Sequence, residues 1–157
     1  MKIGQGFDAH RFCEGQHLML GGVKIAHDKG IEAHSDGDVL LHAICDALLG
    51  AAGLGDIGSH FSDQENINQN RDSREFVRSI LELITQQDLV IANIDATIIC
   101  QQPKISPHKA SMQKIIAEDL QCDLHQVNIK ATTTEKMGFT GRQEGIAAMA
   151  VALLQTP

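Results

Sequence analysis

Segments alternating apolar and polar residues are interleaved with segments of helical apolar spacing, and turn signals separate them. Together these predict an α/β (α+β) fold, a sandwich of a mixed β-sheet with helices on one face. With 157 residues the chain is long enough to close a core, so a single domain over 1–157 is expected. Lys2 to Phe12 reads as an opening strand. Leu18-Met19-Leu20 and Val23-Lys24-Ile25 flank Gly21-Gly22, a two-residue hairpin signal. Ser35 followed by Asp38 reads as a capping box opening a helix over Val39 to Leu49, with Leu40, Leu41, Ile44, Ala47, Leu48 and Ala51 on one face.

Asp72-Ser73-Arg74-Glu75 caps a second helix that turns Phe76, Val77, Ile80, Leu81 and Ile84 inward. Leu89 to Cys100 is β-branched and reads as a strand. Ser106-Pro107 predicts an N-cap and first helical residue for a third helix reaching Leu120. Val127 to Thr132 alternates as a half-buried strand. Ile146 to Leu154 admits two readings: its alanines favour helix, while Met149, Val151 and Leu153 alternate as in a strand. The polar run from Ser62 to Arg71 is a candidate long mobile loop.

Composition excludes several classes. The formal charge of −7, without Trp or Tyr, argues against a nucleic-acid surface, which needs basic patches and stacking aromatics. No run approaches the length of a membrane span and no basic-then-apolar leader opens the chain, so a soluble cytoplasmic protein is expected. Cys13, Cys45, Cys100 and Cys122 are widely spread with no CxxC pair, which fits free thiols better than a disulfide frame or zinc ribbon.

The most informative pair is Asp8 and His10 in Gly6-Phe7-Asp8-Ala9-His10. Residues two apart on a strand point the same way, about 7 Å apart, so a carboxylate and an imidazole enter one space. His42, one turn into the first predicted helix, is a candidate third ligand, with Asp38 and Asp46 four residues to either side as candidate partners for its other ring nitrogen. Two histidines, one carboxylate and an open position describe a catalytic zinc or a non-haem iron. A half-buried histidine hydrogen-bonded locally is the competing reading of His42.

His34-Ser35-Asp36-Gly37-Asp38 precedes a helix N-terminus, where an anion is favoured, although simple capping is by itself the stronger reading. Gly4-x-Gly6-x-x-Ala9 mimics a dinucleotide fingerprint but lacks the preceding strand and following helix. Lys130 to Gly145 gathers three threonines, Glu135, Lys136 and Arg142 after a strand end, a set that can grip phosphate oxygens and a bridging divalent ion.

With those motifs the chain resembles the 2-C-methyl-D-erythritol 2,4-cyclodiphosphate synthase family from end to end. The resemblance rests on Gly6 to His10, Ala33 to Asp38, Asp46 to Ala52, Leu54 to Gly58, Asp72-Ser73-Arg74 and Ala131 to Gly145, in that order. It implies zinc at Asp8, His10 and His42, and magnesium or manganese at Glu135. It implies that His34 and Thr133 stabilise the transition state on the phosphates. Substrate contacts are implied at Asp8, Ala9, His10, His34 and Ser35; at Asp56, Ile57 and Gly58; and at Phe61, Ser62, Asp63, Gln64 and Glu65. Cys100, Gln101, Gln102, Pro103, Lys104, Ile105 and Ser106 would form a cytosine pocket. Thr132, Thr133, Thr134 and Glu135 would cradle the diphosphate, with Phe139 and Arg142 also linked to substrate. Where the family usually has proline at 62 and Thr-Asp at 64 and 65, this chain has Ser62, Gln64 and Glu65.

The resemblance further implies a strand at Ile146 to Leu154 and a homotrimer with sheets facing its axis and sites between subunits. The implied substrate is a cytidine diphosphate ester whose own phosphate closes a ring and expels CMP, with no nucleic acid or membrane involved. Near such an axis, Phe139 and Arg142 would also suit a prenyl diphosphate. Two other readings share the same residues: a zinc phosphoesterase, which would place water-derived oxygen in a linear product, and a metal-stapled trimeric interaction module, which leaves residues 100–106 without a role.

Overall fold

The opening strand, β1 (Lys2–Glu14), turns Gly4, Gly6, Asp8 and His10 to one face and Ile3, Gln5, Phe7 and Ala9 to the other. The computed structural model describes residues 1–61 and 70–157. After β1 come the hairpin β2 (His17–Leu20) and β3 (Val23–Ala26), the short β4 (Lys29–Ile31), and helices α1 (Val39–Ala52), α2 (Ile57–His60) and α3 (Ser73–Thr85). Then follow β5 (Val90–Ile99), a 3₁₀ turn leading into α4 (Lys109–Asp119), β6 (Val127–Thr132), the short α5 (Gly138–Gly141) and β7 (Gly145–Gln155). Five strands make one sheet in the order β4-β1-β7-β5-β6. Its β1–β7 and β5–β7 pairs are antiparallel and β5–β6 is parallel, so the sheet is mixed, as expected.

The ambiguous C-terminal segment is a strand because it lies between β1 and β5 and bonds to both. Period-two burial against α1 overrides its alanine content: Ala148, Ala150, Ala152 and Leu154 are buried, while Met149 and Val151 face outward. The Gly21-Gly22 hairpin forms as read, with φ of 58° and 74° supplying the left-handed pair that a tight turn requires.

Helix α1 crosses the sheet over β1 and β7, and its Leu40, Leu41, Ile44 and Leu48 are fully buried. It comes unusually close to β1. A Cβ on Gly4 would lie 2.0 Å from the Ala47 carbonyl oxygen, and one on Gly6 would lie 1.9 Å from that of Ala43. The Gly4-x-Gly6 pattern therefore serves a close helix–strand approach. The next two residues on that strand face are Asp8 and His10, so the same approach carries His42 over them.

Two predicted caps differ from the structure. Asp38, not Ser35, is the N-cap of α1, and its carboxylate also accepts the Gly21 and Gly22 N–H groups at 2.9 and 2.8 Å, pinning the hairpin to the helix. Ser106 makes no cap bond, and Ser106–His108 is a 3₁₀ turn ahead of α4 with Pro107 near its start. Helix α3 begins at its predicted cap, Asp72, and Arg74 bonds bidentately to the buried Asp119 of α4 at 2.7 and 3.0 Å. That pair locks the start of α3, including Ser73, against the rest of the helical layer.

The face of the sheet away from the helices exposes Ile3, Phe7, Met149 and Val151 at 72, 52, 45 and 40%. Phe7 pairs with Met149 and Met149 with Thr97, so the apolar side chains lie on neighbouring strands. Among the described residues no helix is long and apolar enough to cross a membrane, and all four cysteines are free.

Candidate active site

Asp8, His10 and His42 meet where the α1-facing side of β1 passes under the first turns of α1. His42 Nδ1 lies 3.0 Å from Asp8 Oδ2, and His10 Nε2 lies 3.3 Å from both of these atoms. Three ligands held at 2.0–2.1 Å around a tetrahedral zinc stand about 3.3 Å from one another, so the donor set and its spacing fit that ion. The same three residues and their spacing also fit an iron centre.

Charge tells the same story as geometry. Burial alone would lower the His42 pKa, but the hydrogen bond and charge of Asp8, with Asp38 and Asp36 behind it, hold it above its ordinary value. The pocket thus favours a positive charge on Nδ1, which a proton or a metal can supply. The predicted outer partners of His42 need correction. Asp38 is fully engaged with Gly21, Gly22 and Leu41 N–H groups, and Asp46 accepts the Ile57 N–H at 2.8 Å. His42 Nε2 instead meets Ser73 Oγ at 2.9 Å and Ser35 Oγ at 3.3 Å, and Ser73 Oγ donates a hydrogen bond to Asp36 Oδ1.

Around the three ligands lies a cavity of about 180 Å³ that also touches Ala33, His34, Ser35, Ile57, Gly58 and Phe61. His34 Nε2 is buried without a hydrogen-bond partner among the described residues, a polar atom that an incoming ligand can satisfy. Phe61 and Phe76 stack at 4.7 Å between centroids to form one wall. Asp56, read as a substrate contact, caps α2, where its Oδ1 accepts the Ser59 N–H and O–H at 2.8 Å each. Ala9 lies on the outward face of β1, and its N–H donates to Asp8 Oδ1 at 2.9 Å. Ser62, Asp63, Gln64 and Glu65 lie outside the described residues.

A second cavity, about 340 Å³, is bounded by Cys100 to Ser106 and by Ala131, Thr132 and Thr133. It gathers the predicted cytosine segment beside the start of the predicted diphosphate segment. The Gln102–Pro103 peptide is cis, and the Cys100 thiol is pushed up to about 11 by burial, which leaves it neutral. Thr133 Oγ1 donates to Glu135 Oε1 at 3.1 Å, and Lys136 N–H donates to Gln101 Oε1 at 3.2 Å, joining the two segments. Thr134 is held by Thr140 at 2.9 Å. Arg142 is paired with Glu144 at 2.9 Å, and Phe139 lines a cavity of about 250 Å³ with Ala9, His10 and Arg11.

Sheet register relates the two cavities. Ala9 of β1 and Ile99 of β5 both pair with Ala147, and Thr132 pairs with Ile99, so both cavities open at one end of the sheet. They share no lining residue, and Glu135 is not among the clustered ligands Asp8, His10 and His42. Sequence reasoning missed Ser73, Asp36, Phe61 as a wall and Phe76. Asp36 and Ser73 stand inside two of the quoted motifs, but only the fold brings them together.

The chain resembles known proteins over its full length. The 2-C-methyl-D-erythritol 2,4-cyclodiphosphate synthase of Stutzerimonas stutzeri is 59% identical over 157 residues, covering 100% of both chains. The bifunctional IspDF from Campylobacter jejuni matches 99% of this chain with a TM-score of 0.96 and 43% identity, and the chain spans 42% of that longer protein. The CDP complex of IspF from Plasmodium falciparum matches 99% of this chain and 96% of its own, with a TM-score of 0.86 and 37% identity. The YgbB family model matches residues 1–155, and the chain belongs to the YgbB family.

Proposed function

We propose that the chain converts 4-diphosphocytidyl-2-C-methyl-D-erythritol 2-phosphate to 2-C-methyl-D-erythritol 2,4-cyclodiphosphate with release of CMP, in the cytoplasm, as a phosphorus–oxygen lyase of the non-mevalonate isoprenoid route. The observation that carries this reading is the meeting of Asp8, His10 and His42 in one cavity that His34 also lines. The names of the full-length relatives support it, as does the CDP bound to the Plasmodium relative.

The substrate's 2-phosphate oxygen bonds to the β-phosphorus, and the bond from that phosphorus to the bridging oxygen breaks. CMP departs with the electron pair, and no water is consumed. The attacking oxygen is already anionic at neutral pH, so no serine, cysteine or general base is required. Folding the flexible ester so that its ends meet supplies up to roughly 7–11 kcal/mol relative to loose encounter. Zinc at Asp8, His10 and His42, with magnesium or manganese at Glu135, would neutralise and align the phosphates as Lewis acids. His34 and Thr133 donate to the developing charge. Cys100 to Ser106 receive the cytosine, and Thr132 to Glu135 hold the diphosphate. Ser35, Ile57, Gly58 and Phe61 bound the sugar end.

The reading includes a homotrimer in which the ligand cavity of one copy faces the second cavity of the next. The separation of the two cavities and the apolar outward sheet face support it. Arg142 and Phe139 near its axis would suit a prenyl diphosphate, and Arg142→Ala would abolish that binding. The decisive experiment is ³¹P NMR of the reaction in ¹⁸O-water with zinc and magnesium. CMP and a cyclic diphosphate without ¹⁸O are expected, and a linear, ¹⁸O-labelled product would instead identify a hydrolase.

A further inference from the structure

We infer that Asp36 and Ser73 are positioning residues for His42, fixing the proton on its Nε2 so that Nδ1 is presented to the cation. The inference rests on the zinc reading above and goes beyond its three ligands. It follows from counting hydrogens. Ser73 Oγ carries one hydrogen, and that hydrogen goes to Asp36 Oδ1. The Asp36 carboxylate is surrounded by donors: the Ser73 O–H, the Ser73 N–H at 3.1 Å and the Asp38 N–H at 3.2 Å. Towards His42 the Ser73 oxygen therefore acts as acceptor, at 2.9 Å, and Nε2 must be the protonated nitrogen.

Nδ1 then directs a lone pair at Asp8 Oδ2 and His10 Nε2, 3.0 and 3.3 Å away. A cation placed among the three atoms would take all of them as ligands. Ser35 Oγ, at 3.3 Å from Nε2, is a weaker second acceptor that itself receives the Gly37 N–H. Ser73 is fully buried, and its helix is anchored through Arg74 to Asp119, which holds the hydroxyl in place. A carboxylate supporting a ligating histidine through one hydroxyl performs the task usually done by a direct carboxylate–histidine bond.

The test measures zinc affinity by competition with a chromophoric chelator for the wild-type chain, Ser73→Ala and Ser73→Thr, alongside ¹H–¹⁵N NMR of the wild-type imidazoles with and without zinc. Ser73→Ala is expected to bind zinc about 10- to 100-fold more weakly at a similar melting temperature. Ser73→Thr, which keeps the hydroxyl, should recover most of that loss. In the wild-type chain His42 Nε2 should carry a slowly exchanging, downfield proton. Unchanged affinity in Ser73→Ala, or an Nε2 without its proton in the zinc-bound chain, overturns the inference while leaving the zinc site standing. A wild-type chain that binds no zinc overturns the metal reading itself. If Ser73→Ala fails to fold, the wild-type spectrum still decides the tautomer.

Discussion

The two cavities at one end of the sheet are built in opposite ways. Around Asp8, His10 and His42 the ligand set is assembled within one chain: two glycines bring helix and strand together, and hydroxyls hold the far side of the imidazole. Around Thr132 to Arg142 the groups face outward. Thr133, Glu135 and Lys136 are exposed, and Glu135 and Lys136 hold left-handed φ of 52° and 64°. Non-glycine residues in that region are strained, and such strain collects where a backbone is shaped for a ligand. The first region is a site completed by folding; the second is an exposed surface, which under the proposed function gains its partners on binding. A substitution that parts helix from strand in the first should therefore damage fold and metal together, one that only removes a ligand should cost the metal, and one in the second should damage only chemistry.

Gly6→Ala should break the first region most severely. Its new Cβ would meet the Ala43 carbonyl oxygen, so α1 must move off β1. A loss of more than about 3 kcal/mol is expected, since this collision is with backbone rather than a flexible side chain. Urea unfolding and zinc content measured together would show it, and a stable, zinc-replete variant would refute the close-approach argument. His42→Ala removes a ligand from a partly solvated cavity. Zinc and most turnover should disappear while the circular dichroism spectrum and cooperative unfolding persist. Full activity in that zinc-free variant would remove the metal from the mechanism.

Asp38 tests how tightly the first region is closed. Burial raises its carboxyl pKa from 3.8 to about 6, despite the backbone N–H groups that bond to it. The native chain then holds a proton that the unfolded chain releases between those values, so Asp38's contribution to stability falls as pH rises through that window. Asp38→Asn lacks the titration. The stability of the wild-type chain relative to this variant should therefore decline by on the order of 3 kcal/mol from pH 3.8 to above 6. Denaturant melts at several pH values measure it, and a constant difference would show that the carboxylate is not desolvated. The smallest structural effect belongs to Glu135→Ala in the outward region. Stability should change by less than about 0.5 kcal/mol and zinc should be retained, while the magnesium requirement of turnover is lost.

How much of this was legible in the sequence depended on the distance over which each relation acts. Asp8 and His10 were readable as a pair because strand periodicity alone aligns them. His42 was readable as a candidate because a helix was evident around it. Its partners were misassigned to Asp38 and Asp46 because helical spacing names only residues on the same helix, whereas Ser73 arrives from α3. Asp38 looked like support for the imidazole because capping and histidine support call for the same side chain. The C-terminal strand was ambiguous for a related reason: alanine is a good helix former in isolation, and only neighbours on both sides make it a strand. The brief helix at Ile57–His60, which claims part of Asp56, is too short for any periodic signal.

The proposed function requires the completed cavity of one chain to act with the outward segment of another, and subunit complementation tests this most directly. His42→Ala and Thr133→Ala chains, each inactive alone, are refolded together and assayed for CMP release. In random mixed trimers about a quarter of the sites would join an intact ligand set to an intact threonine, so activity should return to roughly that fraction of wild type. A mixture as inactive as its parents would contradict a site shared between copies.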